Sequence, residues 1–342
     1  MKYLGQESDI ANSNTTIGVL LVNLGTPERP VCPSLRDYLS EFLMDPRVIE
    51  IPKLLRAILV RGIIINVRSH KSAAIYRQIW TKDGSPLLIN STKLGDKVSQ
   101  VLANQQGSYQ VEVGMRYGKP SVADKIADLH AQGIRTLVVI PMYPQYSGST
   151  NGSTFDALGA AFRKQRWVPQ LHFVSDYYRR KTYIKAIGDS ISQHWQQHGR
   201  NHKLLMSFHG IPKKYIGRGD PYQSQCRETA AAIAKYLDLK ETEWILVFQS
   251  RFGAEEWLQP YCDQTLKSLP AQGIKSVDII CPGFSADCLE TLEEIECENK
   301  QYFMQAGGDA YSYIPCLNDS DAHAQLMAEI VTDTTSQSID TI

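Results

Sequence analysis

The chain has 342 residues, of which 43% are hydrophobic and 21% charged, an ordinary composition for a globular protein. At roughly 150 residues per domain, this length predicts about two domains. The 36 basic and 36 acidic side chains give a formal net charge of zero. A balanced charge argues against nucleic-acid binding, which needs a basic face.

Residues 1–16 are polar, carry one lysine and no arginine, and lack an apolar run. This pattern is neither that of a secretory signal nor that of a mitochondrial presequence. No two of the seven cysteines form a C-x-x-C pair, which indicates reduced thiols. We therefore expect a cytoplasmic protein. The cysteines are Cys32, Cys226, Cys262, Cys281, Cys288, Cys297 and Cys316.

Eight short apolar runs recur along the chain, and a helical stretch follows most of them. Strands that alternate with helices imply parallel sheets and an α/β class. The sequence therefore predicts two Rossmann-like domains, each with a four-stranded parallel sheet flanked by helices. The predicted strands are Ile17–Leu24, Gln110–Met115, Thr136–Pro141 and Gln170–Val174, then Lys203–Phe208, Trp244–Phe248, Ser276–Cys281 and Ala310–Ile314.

The two halves share three short motifs in the same order, which indicates a repeat. Leu-Gly-Thr-Pro at 24–27 matches His-Gly-Ile-Pro at 209–212, Arg-Tyr-Gly at 116–118 matches Arg-Phe-Gly at 251–253, and Val-Ile-Pro at 139–141 matches Ile-Cys-Pro at 280–282. We predict domains at 17–176 and 177–332, joined by a helix at Tyr177–His198. Residues 1–16 and 333–342 are expected to be flexible tails.

The first half carries an insertion. Gly25 and Arg116 are 91 residues apart, whereas Gly210 and Arg251 are 41 apart. The added segment, about 28–90, includes the apolar stretch Ile49–Val67, which is too short and too charged to span a membrane. It is either a plain helical decoration or a lip over a site between the domains. A lip of this kind could rest on a membrane surface.

His209 directly follows the apolar run that ends at Phe208 and precedes Gly210. This places an imidazole at the carboxyl end of a buried strand, where open α/β sheets form their sites. Histidine also has the side-chain pKa nearest neutrality. On position alone, a structural histidine is an equally good interpretation.

Glu290, Glu294 and Glu298 are spaced four residues apart, so they share one face of a helix. A slightly wider, π-like winding would align the three carboxylates more closely. Such a row suits a hydrated divalent cation or departing protons. A solvated acidic face is the alternative that spacing alone leaves open.

Taken in order, these segments resemble the ferrochelatase family from about Gly18 to Thr332. The most specific segment is Leu-Leu-Met-Ser-Phe-His-Gly-Ile-Pro at 204–212 with Arg-Gly-Asp-Pro-Tyr at 218–222. The supporting motifs are Val-Asn-Leu-Gly-Thr-Pro (22–27), Gly-Met-Arg-Tyr-Gly (114–118), Tyr-Pro-Gln-Tyr-Ser (143–147), Phe-Gln-Ser-Arg-Phe-Gly (248–253) and Asp-Cys-Leu-Glu-Thr-Leu (287–292).

The resemblance implies an enzyme that inserts Fe²⁺ into protoporphyrin IX, with two protons released, as the terminal step of haem biosynthesis. It implies His209 and Glu290 as the catalytic pair. His209, Glu290, Glu294 and Glu298 would meet the metal, and Asp287 would continue the acidic path. The implied porphyrin contacts are Leu24 (opposite His209), Arg116, Tyr117, Ser147, Gln249 and Trp257, with Ser250 and Arg251 as further lining residues.

Animal members of the family hold a [2Fe–2S] cluster through one cysteine in a Tyr-Ser-Cys-Ser segment and three in a C-terminal extension. Here Gly148 occupies the first position and no cysteine follows Cys316. Because such a cluster needs four thiolates, we predict no cluster and no other prosthetic group. Cys288 stands where some relatives have histidine, which puts a direct metal role there in doubt.

Three other functions stay open. A chelatase for another metal or tetrapyrrole is disfavoured by the insertion, and a resemblance to Gram-negative members favours protoporphyrin over coproporphyrin. A haem or porphyrin carrier would not need the row of glutamates. A periplasmic-binding-like module would normally be exported. For His209, we favour acceptance of a pyrrole proton over an initial contact with the metal.

Overall fold

The computed structural model describes Tyr3, residues 15–253 and residues 255–339, without the side chains of 337–339. The chain forms two compact units. Unit 1 consists of Met1–Met142, Gly148–Asp176 and Asp319–Ile342, and unit 2 of Tyr143–Ser147 and Tyr177–Asn318. Neither unit is continuous in sequence, so the chain crosses between them more often than at the single boundary predicted near residue 176.

Unit 1 is built on a four-stranded parallel sheet in the order β2-β1-β3-β4. The central strand β1 is fully buried from Val19 to Val22, as expected for a parallel strand covered on both faces. Its strands are β1 Ile17–Thr26, β2 Tyr109–Gly118, β3 Thr136–Pro141 and β4 Gln170–Phe173.

Helices cover both faces of this sheet. Between the first and the fourth strand the chain forms α1 Cys32–Leu43, α2 Lys53–Ala57, α3 Ile65–Ile79, α4 Pro86–Leu102, α5 Val122–Ala131 and α6 Ser153–Phe162, with π-helical turns at Ile58–Ile64 and Gly148–Gly152. Ser121 caps α5 by accepting a hydrogen bond from the amide of Asp124.

Unit 2 repeats the arrangement, with a parallel sheet in the order β6-β5-β7-β8. Its strands are β5 Lys203–His209, β6 Trp244–Gln249, β7 Ser276–Ile280 and β8 Ala310–Ile314. Its helices are α7 Lys181–His198, α8 Lys213–Gly217, α9 Tyr222–Tyr236, α10 Cys262–Ser268 and α11 Lys300–Gln305, with a π-helix at Glu290–Asn299 and 3₁₀ turns at Glu241–Glu243 and Pro270–Gln272.

The fold class predicted from the sequence is confirmed, because each unit holds four parallel strands at the predicted places. Strand ends differ by at most three residues: β1, β2, β5 and β6 continue past their predicted ends, whereas β4 and β7 stop one residue earlier. Gly25 and Thr26 still pair with Tyr117 and Gly118. The helix predicted from Tyr177 begins at Lys181.

The apolar lip of the insertion is the helical stretch from α2 through the π-turn to the start of α3, residues 53–67. Val60 and Ile65 are buried against Leu43. The buried guanidinium of Arg56 donates to the carbonyls of Ile49 and Ile51, each at 3.0 Å. Six other apolar side chains of the lip stand in solvent: Leu54, Leu55, Ile58, Leu59, Ile63 and Val67.

Across the described part of the chain, no helix has the length and apolarity needed to cross a membrane.

The C-terminal segment differs from its prediction. Helix α12 runs Asp321–Ile339, so residues 333–339 continue a helix where a flexible tail was expected. The hydroxyls of Thr334 and Thr335 donate to the carbonyls of Ile330 and Val331 within this helix. Residues 340–342 and most of the predicted tail at 1–16 lie outside the described residues.

Candidate active site

His209 is the last residue of β5, at the carboxyl edge of the unit 2 sheet. Its Nδ1–H donates to the carbonyl of Gly210 at 2.6 Å. Since a carbonyl only accepts, this bond leaves the lone pair on Nε2. Burial lowers the pKa of His209 below its usual value, against opposing effects from the charge of Glu290 and from the Gly210 bond.

The neighbouring strand β6 ends beside His209, because His209 pairs with Gln249 in the parallel register. The buried side chain of Gln249 accepts from Ser207 Oγ at 2.8 Å and donates to the carbonyl of Glu290 at 3.0 Å. Gln249 therefore links the tips of β5 and β6 to the start of the π-helix.

Ser250, the residue after β6, has a left-handed backbone with φ 65°, which is uncommon for a residue with a side chain. This conformation aims two donors at Glu294. The Ser250 amide donates to Glu294 Oε1 at 2.7 Å, and its hydroxyl donates to Oε2. Both oxygens of Glu294 are thereby fixed.

Glu294 has a strongly altered acidity. Burial raises its pKa from 4.5 to about 7, the Ser250 bonds oppose that rise, and the charges of Glu290 and Glu298 add to it. None of the described lysines or arginines forms an ion pair with it. The carboxyl can therefore gain or lose a proton near neutral pH.

The predicted row of glutamates lies on the π-helix Glu290–Asn299, so the wider winding suggested by the spacing is present. Glu298 is exposed and accepts from Tyr302 Oη at 2.7 Å. Within the described residues, no three His, Cys, Asp or Glu side chains are close enough to hold a metal ion together.

Asp287 was expected to continue the acidic path, but in the structure its carboxylate is surrounded by neutral hydrogen-bond donors. Its carboxylate is buried and accepts from Tyr313 Oη at 2.5 Å, Asn318 Nδ2 at 2.6 Å and Thr291 Oγ1 at 3.0 Å. Three neutral donors on one carboxylate anchor the start of the π-helix. Asp287 thus orients Glu290 through the backbone.

Trp257 packs near the same sheet edge. It is buried, its ring lies 5.1 Å from that of Phe252, and its indole N–H has no hydrogen-bond partner. Gly210 lets this happen, since a Cβ there would lie 3.3 Å from the Trp257 ring and 2.8 Å from the Gln249 carbonyl.

Two other predicted lining residues are held by protein partners. Ser147 is buried and donates to Asp220 Oδ2 at 2.9 Å, which ties it to the Arg218–Tyr222 segment. Arg251 forms an ion pair with Asp263 at 3.2 Å and stacks on the Tyr261 ring. The thiol of Cys288 is buried, and burial raises its pKa well above the usual value, so it stays protonated.

In unit 1, Arg116 and Tyr117 meet on a buried carboxylate that sequence reasoning missed. Asp45 Oδ2 accepts from Arg116 Nη2 at 2.6 Å, Tyr117 Oη at 2.9 Å and Ser153 Oγ at 2.6 Å. Burial alone would raise the pKa of Asp45, but the bonds from Ser153 and the Arg47 amide and the Arg116 charge bring it below its usual value.

Within this cluster of Asp45, Arg116, Tyr117 and Ser153, the two predicted residues differ in their exposure to solvent. Tyr117 is fully buried, and burial raises its pKa far above the usual value. Arg116 keeps a partly exposed side chain, 17% accessible. Leu24, near the end of β1, is half-buried. The adjacent Gly25 is required because a Cβ there would lie 1.8 Å from the Tyr117 carbonyl.

The chain has two α/β units, each built on a sheet of parallel strands, and one of them has a histidine and a π-helical row of carboxylates at its sheet edge. These features are those of a protein of the chelatase class. The fold agrees with solved chelatases at low sequence identity. SirB from Bacillus subtilis with Fe³⁺ matches with TM-score 0.57 and 11% identity, covering 95% of this chain and 98% of that one. CbiX, the terminal enzyme for biosynthesis of sirohaem in denitrifying bacteria, matches with TM-score 0.50 and 14% identity, covering 92% and 98%.

The chain belongs to the ferrochelatase family, whose family model matches residues 16–335. Ferrochelatase of Marinobacter nauticus is 48% identical over 97% of this chain and 90% of its own length. That of Teredinibacter turnerae is 51% identical over 97% and 91%, and that of Methylococcus capsulatus 52% over 91% and 94%.

Proposed function

We propose that His209 and Glu290 are the pair that carries metal insertion in this ferrochelatase. The family's reaction places Fe²⁺, a substrate here, into protoporphyrin to form protohaem, the terminal step of haem biosynthesis. The observation that carries the proposal is the hydrogen bond from His209 Nδ1–H to the Gly210 carbonyl, which leaves a lone pair on Nε2 of a ring that feels the charge of Glu290.

Metallation requires the removal of two pyrrole protons. A histidine whose pKa lies below its usual value is neutral at physiological pH, so His209 Nε2 can accept one of them. The nearby negative charge of Glu290 would stabilise the imidazolium that forms. This supports the proton role of His209 ahead of a metal role.

The second proton, or the first on its way out, would pass to the row of glutamates. Glu294, with a pKa of about 7, can accept a proton from Glu290 and release it near neutral pH. Glu298 stands in solvent beyond it. Carboxylate oxygens also hold Fe²⁺ loosely enough to hand it over, whereas thiolates would compete with the porphyrin.

Porphyrin binding must bend the ring to expose its nitrogens, and contacts with the macrocycle would supply the energy for that strain. We propose Trp257, Gln249 and Ser147 as contacts in unit 2. In unit 1 we propose Leu24 and Arg116, with the buried Tyr117 acting through Asp45. Protoporphyrin IX is the expected substrate form.

We propose a cytoplasmic enzyme without a [2Fe–2S] cluster and without nucleic-acid partners. Peripheral contact with the inner membrane would run through the apolar lip. Six exposed apolar side chains along residues 54–67 support that contact, because such patches usually mark a binding surface.

The test is to mix the purified protein with protoporphyrin IX and Fe²⁺ under anaerobic conditions and follow the absorption spectrum. His209→Ala and Glu290→Gln are each expected to lower kcat about 10²–10⁴-fold. Glu296→Gln, an exposed carboxylate on the same helix, is the matched control and should keep normal turnover.

Porphyrin fluorescence measured in parallel separates binding from chemistry. Retained binding with lost turnover in both variants supports the proposed pair. Porphyrin bound without any turnover by the wild-type protein would instead identify a carrier, or a chelatase for another metal.

A further inference from the structure

Helix α7 of unit 2 carries two histidines in its last turn that the proposed reaction does not use. His194 and His198 are four residues apart and so share one face of the helix. Their ring centroids lie 4.6 Å apart with an interplanar angle of 46°. His198 is exposed and His194 half-buried, so a dissolved ion can reach the pair.

The ring separation matches chelation of one ion. With metal–nitrogen bonds of about 2.0–2.1 Å, each centroid lies roughly 3.2 Å from the metal. Two ligands at a right angle then have centroids about 4.5 Å apart, and tetrahedral ligands about 5.2 Å. The observed 4.6 Å fits the right angle, which is typical of tetragonal Cu²⁺ and Ni²⁺ sites.

The surroundings of His194 favour ligation. Its Nε2 lies 2.7 Å from Ser312 Oγ on β8. A hydrogen bond from one ring nitrogen to a protein oxygen is the usual support for a metal-binding histidine, because it fixes the ring and leaves the other nitrogen with a lone pair.

We propose that His194 and His198 chelate a divalent first-row transition ion, Cu²⁺ or Ni²⁺, at the end of α7. Two imidazoles supply half of a square arrangement, and water completes it. The site is separate from the row of glutamates. It would hold ions that prefer imidazole nitrogen to carboxylate oxygen as a ligand. It does not depend on the proposed insertion reaction.

Calorimetric titration of the full chain with Ni²⁺, an ion that leaves thiols unoxidised, tests the site. His198→Gln and His194→Gln should each lower the affinity of one binding event about a hundredfold, because the second ligand no longer adds to the first. His202→Gln, an exposed histidine four residues past His198 and outside the helix, is the matched control and should bind Ni²⁺ as the wild type does.

Circular dichroism of each variant checks that α7 and the sheet stay folded. Electron paramagnetic resonance with Cu²⁺ gives a second measurement, in which the wild type should show two nitrogen ligands and His198→Gln one. Equal Ni²⁺ affinities in the wild type and both helix variants would overturn the proposal. So would an equal loss in His202→Gln, which would indicate nonspecific binding to surface histidines.

Discussion

Each unit holds a carboxylate near its candidate site residues whose pKa is shifted, and the two shifts have opposite directions. Asp45 in unit 1 faces a guanidinium and two hydroxyls, and its pKa is lowered. Glu294 in unit 2 faces only the amide and hydroxyl of Ser250, with two further glutamates nearby, and its pKa rises to about 7. Asp45 stays charged throughout the physiological range, whereas Glu294 can exchange protons within it.

The difference shows what each carboxylate can do. A paired carboxylate positions its neighbours, here Arg116 and Tyr117, and removing it leaves the opposite charge without a partner, which is destabilising. A partly buried carboxylate without an ion-pair partner lowers stability at neutral pH, and its raised pKa lets it exchange a proton there.

Asp45→Asn should destabilise the protein by about 3–5 kcal/mol, because it leaves the guanidinium of Arg116, whose side chain is only 17% accessible, without its counter-charge. Urea unfolding measures the effect. Asp156→Asn is the matched control, since its ion pair with Arg47 is exposed and should contribute about 0–1 kcal/mol. Similar losses in the two variants would contradict the positioning role of Asp45.

The two carboxylates should give stability opposite pH dependences. The pKa of Glu294 is higher in the folded protein than unfolded, so stability should fall as pH rises from about 4.5 to about 7, by an amount on the order of 3 kcal/mol. Glu294→Gln should flatten that decline. The lowered pKa of Asp45 has the reverse effect: its contribution is present above 3.8 and is lost as pH falls further. Unfolding measured across pH in both variants checks each sign.

Turnover should show an ascending limb near pH 7 that belongs to Glu294, since only its deprotonated form accepts a proton. Ser250→Ala removes the hydroxyl bond that holds the pKa down, so the midpoint should move to higher pH. Glu294→Gln should remove the limb, and Glu296→Gln should keep it. A limb that is unchanged in Glu294→Gln would assign the titration to another group.

The smallest effect on stability is expected at the lip. Val67→Asn changes an exposed side chain and should alter the free energy of unfolding by less than about 0.5 kcal/mol. It should nevertheless lower sedimentation with anionic lipid vesicles if the lip contacts membrane. Val168→Asn is the control, because it changes the same residue type at another exposed position of unit 1. An equal loss of sedimentation in that variant would argue against a specific contact.

The strands could be predicted from the sequence because buried parallel strands are continuous apolar runs. Val19–Val22 is such a run, and its counterpart in β5 places His209 at the strand end. The last turns of α12 could not be found this way. Their polar residues satisfy their hydroxyls within the helix itself, which no apolar period reveals.

The residues of the candidate site also fall into those that a local sequence pattern predicts and those that it does not. His209 and the spacing of the glutamates are visible as local patterns, so they were predicted. Asp45 precedes its partner Arg116 by 71 residues, and no local pattern joins them. The left-handed backbone of Ser250 directs its donors onto Glu294. It could not be predicted, because this conformation is usually indicated by a glycine in the sequence and the residue here is serine.

In the π-helix Glu290–Asn299, the number of residues determines how the side chains are oriented around the helix axis. A π-helix holds more residues per turn than an α-helix between the same two ends. Here the ends are fixed, by the donors on Asp287 before it and by the buried Phe303 after it. A one-residue deletion in between would be absorbed by a return to α-winding, which leaves the fold intact but rotates Glu290 relative to Glu294. The number of residues in this segment is therefore under constraint along with their identities.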